Sequence, residues 1–238
     1  TISTLTNSGT IESTGSYSGI WNHGAGFIGG LTNNAGGVIS GVTAGIFNEG
    51  SISTLTNAGT ISGGVSGLNT VNAAPAINNL GGATIGTLTN TGLIGGTNSS
   101  VAIWNNPDAI ITTLTNDVGG AISGITHGIG SGGTIGTLTN SGTIGGANSD
   151  HGIWNFGGGT ITELNNTSTG VISGNFIGVS NEGEITTLTN AGLITAGTGT
   201  GDALANNGLI DTLTNTGTIG NAIGTDATNR YGINNMGG

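Results

Sequence analysis

The sequence predicts an all-β fold, a parallel β-solenoid (β-helix) of about nine coils, three-sided, with asparagine ladders and an Ile/Leu interior. Three observations predict it. A leucine with an asparagine two places on returns nine times in 238 residues, at Leu5, Leu31, Leu55, Leu88, Leu114, Leu138, Leu164, Leu188 and Leu213. The spacings are 26, 24, 33, 26, 24, 26, 24 and 25 residues. An isoleucine stands three places before every leucine, and a Gly-x-Ile follows every copy, from Gly9-Thr10-Ile11 to Gly217-Thr218-Ile219.

The first element of each unit is Ile-x-x-Leu-x-Asn. Its side chains alternate, and its β-branched residues suit a pleated surface. The second is the short Gly-x-Ile, set off by Gly, Asn and Ser that tolerate tight corners. The third is an apolar residue with asparagine two places on, as in Ile20 with Asn22, Ile46 with Asn48 and Ile103 with Asn105. The fifth unit departs, with Ser131 after Ile129. Helix is excluded by 52 glycines and the lack of a 3.6-residue apolar period, since each interior glycine costs a helix about 1 kcal/mol. A single unit cannot bury its apolar face; stacked units can, each strand pairing with its equivalent one coil above and below. The repeated asparagines Asn7, Asn33, Asn57, Asn90, Asn116, Asn140, Asn166, Asn190 and Asn215 are expected to point inward as a hydrogen-bonded ladder.

Corner lengths support one shared cross-section. In the second, fifth and seventh units the first corner is two residues longer, and the next is two shorter. Residues 1–238 therefore read as a single solenoid domain with protruding loops at 62–76 and 220–232. No polar cap is visible at either end. The final 234–238 followed by 1–5 would read like the internal junction 78–88. The expectation is an uncapped module, either continuing a longer solenoid or stacking head-to-tail with copies of itself.

Eleven carboxylates stand against one Arg230 and no lysine, a formal net charge of −10. Such a surface has no basic patch for phosphate, so nucleic acid is not an expected partner. No apolar run is long enough for a helical membrane span, and the chain is not expected to be membrane-embedded. There is no cysteine, which a solenoid does not need.

The stretch 133–146, Gly-Thr-Ile-Gly-Thr-Leu-Thr-Asn-Ser-Gly-Thr-Ile-Gly-Gly, resembles the β-helical passenger and stalk repeats of bacterial autotransporter and filamentous-haemagglutinin-like adhesins. The resemblance covers essentially the whole chain. It implies an extracellular or bacterial cell-surface location and a role in adhesion, aggregation or filament formation, with host or bacterial surface glycans, or other copies, as partners.

No catalytic constellation is legible, and an enzyme is not expected. His23, His127 and His151 lie in different coils, at corner or turn positions, and read as surface residues. The carboxylates are spread out rather than paired as glycoside hydrolysis requires. Gly197 to Leu204 resembles a calcium-binding nonapeptide but has threonine at two glycine positions and occurs once, so no metal or cofactor is expected.

Two outward ladders carry the functional expectation. Residues flanking the buried leucine form Thr-x-Thr in seven units: Thr4 and Thr6, Thr54 and Thr56, Thr87 and Thr89, Thr113 and Thr115, Thr137 and Thr139, Thr187 and Thr189, Thr212 and Thr214. A flat two-column threonine array resembles the ice-binding face of insect-type antifreeze proteins; the plainer reading is that threonine is a good exposed strand residue. In the third strand, Trp21, Phe47, Trp104 and Trp154 follow the inward apolar residue and should face out. Exposed aromatic rings mark contacts unless nearby loops fold over them.

Overall fold

The computed structural model describes residues 1–64, 74–197, 201–220 and 231–236. The chain is a three-sided parallel β-solenoid. Its first sheet contains Ile2–Asn7, Phe27–Asn33, Ser51–Asn57, Thr84–Asn90, Ile110–Asn116, Thr134–Asn140, Thr160–Asn166, Glu184–Asn190 and Leu209–Asn215, in that spatial order. The second holds the Gly-x-Ile strands and the third the strands ending on the later asparagine, nine rungs in each. Nine rungs make eight steps, on the order of 40 Å along the axis at ~4.8 Å per step.

The register follows the repeat, Leu5 on Leu31, Leu31 on Leu55, and Leu88 on Leu114. Strict alternation would send Ile and Leu, three residues apart, to opposite faces. The pairing resolves this by omitting the residue two before each leucine, such as Ser3, Gly29, Ser53 and Gly86. The strand bends there, and Ile85 and Leu88 are both fully buried. Between the end rungs the core is one continuous column of Ile, Leu, Val and Ala. Each buried Ile or Leu contributes about 1.5–3 kcal/mol.

The first asparagine ladder is unbroken. Asn7 Nδ2 donates to Asn33 Oδ1 at 2.8 Å, and the same bond recurs at 2.7–2.9 Å through every rung to Asn215. Each internal Nδ2 also donates to corner carbonyls; Asn33 reaches Gly37 O at 3.2 Å and Thr60 O at 3.1 Å. The glycine of Gly-x-Ile exists because of this crowding. A Cβ on Gly59 would lie 2.2 Å from Gly37 O, and one on Gly37 would lie 2.5 Å from Asn33 Oδ1.

The second ladder runs Asn22, Asn48, Asn79, Asn105 and resumes at Asn155, Asn181, Asn206, Asn235. Ser131 interrupts it. Asn105 Nδ2 donates to Ser131 Oγ at 3.2 Å, and Ser131 Oγ spends its one proton on Gly133 O at 3.3 Å. Among the described residues, Asn155 Oδ1 is left buried without a partner.

Of the two expected loops, residues 65–73 and 221–230 lie outside the described residues. At the near edge of the first, Ser62 and Gly63 belong to the strand Thr60–Gly63, and Ala76 is fully buried. Residues 198–200 of the Gly-rich stretch are also outside them. Asp202 in that stretch braces the last rung, its carboxylate accepting from Tyr231 N at 2.8 Å and Asn234 Nδ2 at 2.7 Å.

Candidate functional site

The outward column of the third sheet is in register from Trp21 through Phe47, Asn78, Trp104, Gly130 and Trp154 to Ser180, Ala205 and Asn234. Every second side chain of these strands faces in, so the rings project outward from the barrel. They gather into two groups.

In the first group, Trp21 is 52% exposed, stacks on His23 with centroids 5.0 Å apart, and meets the edge of Phe47 at 6.0 Å. Glu49 Oε2 lies 3.5 Å from His23 Nδ1. Ser16, Tyr17, Ser18 and Thr43 close a small cavity of about 200 Å³ against Trp21 and Phe47.

The second group spans the fourth to sixth coils. Trp104 reaches over Gly130; a Cβ there would be 2.4 Å from Trp104 Cζ3. The ring reaches across to stack on Phe156 at 5.0 Å and to meet Trp154 at 6.2 Å. Phe156 in turn covers Gly132, where a Cβ would lie 2.2 Å from its Cε2. Gly130-Ser131-Gly132, the one stretch that departs from the repeat, is therefore the floor of the aromatic cluster. Trp104 and Trp154 are half-buried, and neighbouring rings pack against both. Their indole protons are held, Trp104 Nε1 donating to Asn106 Oδ1 and Trp154 Nε1 to Glu182 Oε1, both at 3.1 Å.

The histidines differ from the sequence expectation. His127 and His151 open third-sheet strands rather than corners and are register partners, with Nδ1 atoms 3.2 Å apart. Units five and six are 24 residues apart, which superposes the two positions. His127 packs against Trp154 at 4.8 Å. Burial, then the neighbouring His151 charge, pushes His127 down to about 4, while its backbone contact at Thr126 pulls weakly upward. Burial also lowers His151, with Asp150 and Glu182 pulling it upward. Both groups bind protons less readily folded than unfolded, so stability is fully present above about pH 6.5 and falls as pH drops from there toward 4. We expect the melting temperature to fall across that window and His127→Gln to flatten the dependence. An equally steep profile in the variant would place its origin elsewhere.

The threonine columns are in register, but they do not form one uninterrupted array over the seven units. Thr54 with Thr56, Thr87 with Thr89, Thr113 with Thr115 and Thr137 with Thr139 occupy four consecutive rungs without a break. The remaining three pairs stand apart from this block. Thr4 and Thr6 are exposed on the first rung of the sheet, Thr4 paired with Gly30 and Thr6 with Thr32. Gly30 breaks the column that would join Thr4 to Thr54, whereas Thr6 continues through Thr32 to Thr56. Glu163 and Asn165 break both columns before Thr187 and Thr189, with Thr137 Oγ1 bonded to Glu163 Oε2 at 3.4 Å. Thr212 and Thr214 are exposed on the last rung, paired with Thr187 and Thr189. The breaks fall at the two units whose sequence departs from Thr-x-Thr, Gly30 with Thr32 and Glu163 with Asn165. Thr6 and Thr214 occupy the two end rungs of the sheet, and the substitutions at Gly30, Glu163 and Asn165 confine the complete two-column lattice to the rungs from Thr54 to Thr139.

Among the described residues, no three His, Cys, Asp or Glu side chains converge on a point that could hold a metal ion. No helix among them is long and apolar enough to cross a membrane. Compared with protein-family models, curated proteins and solved structures, the chain matches none. The class the fold defines is a parallel β-solenoid repeat protein with internal asparagine ladders.

Proposed function

We propose that this chain is a structural and adhesive solenoid module of an extracellular bacterial surface protein or fibre, without catalytic activity. It would mediate adhesion, aggregation or filament formation through surface glycans, or through lateral or head-to-tail contact with its own kind. The observation that carries this reading is the aromatic column: apolar rings held outside the barrel on rigid strands, on a chain of net charge −10. The likeness of the repeat to adhesin stalks supports it from the sequence side. The test is a Trp21→Ser, Trp104→Ser, Trp154→Ser triple variant displayed on beads. The rings lie outside the Ile/Leu interior, so the β-sheet signal and cooperative melt should persist while adhesion to cells, glycan surfaces or other beads falls. A folded triple variant that adheres like the parent would contradict the reading.

Ice binding is the second reading, favoured by the four uninterrupted Thr-x-Thr rungs at about 4.8 Å along the axis and about 7 Å across the strand. Thermal hysteresis by the purified chain supports it, and its absence removes it.

A further inference from the structure

The third sheet opens beside Trp104 into a cavity of about 410 Å³, within the range of roughly 300–1,000 Å³ common for ligand pockets. Trp104, Val101 and His127 give it apolar and aromatic walls, and Asn78, Asn106 and Thr126 bring amide and hydroxyl groups into the same space. These polar groups are already pre-oriented. Asn106 Nδ2 donates to Asn78 Oδ1 at 2.7 Å and to Asn79 O at 2.9 Å, while its Oδ1 accepts from Trp104 Nε1. Thr126 Oγ1 donates to Ser100 O at 2.9 Å. What is left for a ligand is the Asn78 Nδ2 protons, the Thr126 oxygen lone pairs and the far ring nitrogen of His127.

We propose that this cavity is a saccharide-binding site for a neutral pyranose unit. The class of ligand follows from the lining. A sugar ring presents an apolar C–H face, which suits a fixed indole, and a rim of hydroxyls, each both donor and acceptor, which suits amides and a threonine. Among the described residues, no carboxylate, lysine or arginine lines the cavity, so a charged ligand finds no counter-ion among them. A nucleotide would bring phosphate toward a chain of net charge −10. The site lies on the outward column of a rigid sheet, where a glycan chain can run past it without threading a cleft. The proposal rests on the adhesive reading above and names its ligand class.

The test is a titration of the full chain with methyl glycosides of glucose, galactose, mannose and N-acetylglucosamine. Adenosine and choline serve as the rival flat and cationic ligands. Saturation-transfer NMR reads contact with the sugar C–H protons, and the Trp104 indole N–H resonance reports the site. We expect at least one glycoside to saturate at millimolar concentration, Asn78→Ala and Trp104→Ala each to weaken it about tenfold or more, and Val118→Ala, at an exposed corner away from the cavity, to leave it unchanged. If Trp104→Ala does not fold, Asn78→Ala decides, because its side chain is outside the core. Failure of every glycoside to bind, unchanged affinity in Asn78→Ala, or preferential binding of adenosine or choline each overturns the proposal. Loss of bead adhesion in the triple variant alongside any of those results would leave the adhesive reading standing with another ligand.

Discussion

Asn140→Ala is expected to destabilise the chain by about 3–5 kcal/mol in a denaturant melt, and Thr139→Ala by no more than about 0.5 kcal/mol. The two residues are chain neighbours on one strand and differ in the face they occupy. Asn140 is fully buried, accepts from Asn116 Nδ2 at 2.9 Å, and donates to Asn166 Oδ1 at 2.9 Å and Val171 O at 3.1 Å. Alanine leaves the Asn116 proton, the Asn166 oxygen and the Val171 carbonyl short of a partner inside the barrel, and each such loss costs about 1–3 kcal/mol. Thr139 lies on the outward column, where its loss removes only half-buried surface. Equal losses for the two variants would mean that the amides do not bear on stability through the ladder.

The opposite effect is expected one sheet away. Ser131→Asn should raise stability by about 1–3 kcal/mol, a rise of roughly 2–4 °C in melting temperature per kcal/mol for a chain of this size. An asparagine there gains a carbonyl to accept from Asn105 and two protons, one of which reaches Asn155 Oδ1, the buried oxygen now unpaired. The corner does not forbid it. Asn48 and Asn181 occupy equivalent positions before equally short corners and bond Gly50 O at 3.2 Å and Gly183 O at 3.4 Å. The rings of Trp104 and Phe156 lie outside, over Gly130 and Gly132, so the inward change leaves the aromatic floor in place. A melting temperature at or below that of the parent would show that the serine is favoured by something other than the amide network.

The ladder and the core were legible because both are periodic. A leucine every 24–26 residues in most units puts Leu5, Leu31 and Leu55 on one column, and the asparagines must follow. The bend that lets Ile85 and Leu88 both face inward was not legible, because alternation alone assigns them to opposite sides. The aromatic column was placed correctly as an outward series, but its clustering was not visible. Trp104 reaches Phe156 across an intervening coil only because Gly130 and Gly132 lack side chains, a fact about the space between rungs rather than along the chain. His127 and His151 read as scattered for the same reason. Their contact depends on a 24-residue unit superposing two strand starts that are distant in sequence. Ser131 stood out in the sequence as a departure. Its meaning, a broken amide chain inside and a bare floor outside, required the neighbouring coils.

The most direct test of the solenoid is a distance. The chain contains no cysteine, so Thr56→Cys and Thr189→Cys give two clean spin-label sites on one outward column. The register carries Thr56 to Thr89, Thr115, Thr139, Asn165 and Thr189, five steps along the axis. Electron–electron resonance should then show a single narrow distribution centred at about 24 Å, five times the ~4.8 Å strand spacing. Both labels leave the same face in the same direction, so their linkers add little to the separation. A broad distribution, or a mean far from that distance, would contradict one coil per repeat and the ladders built on it.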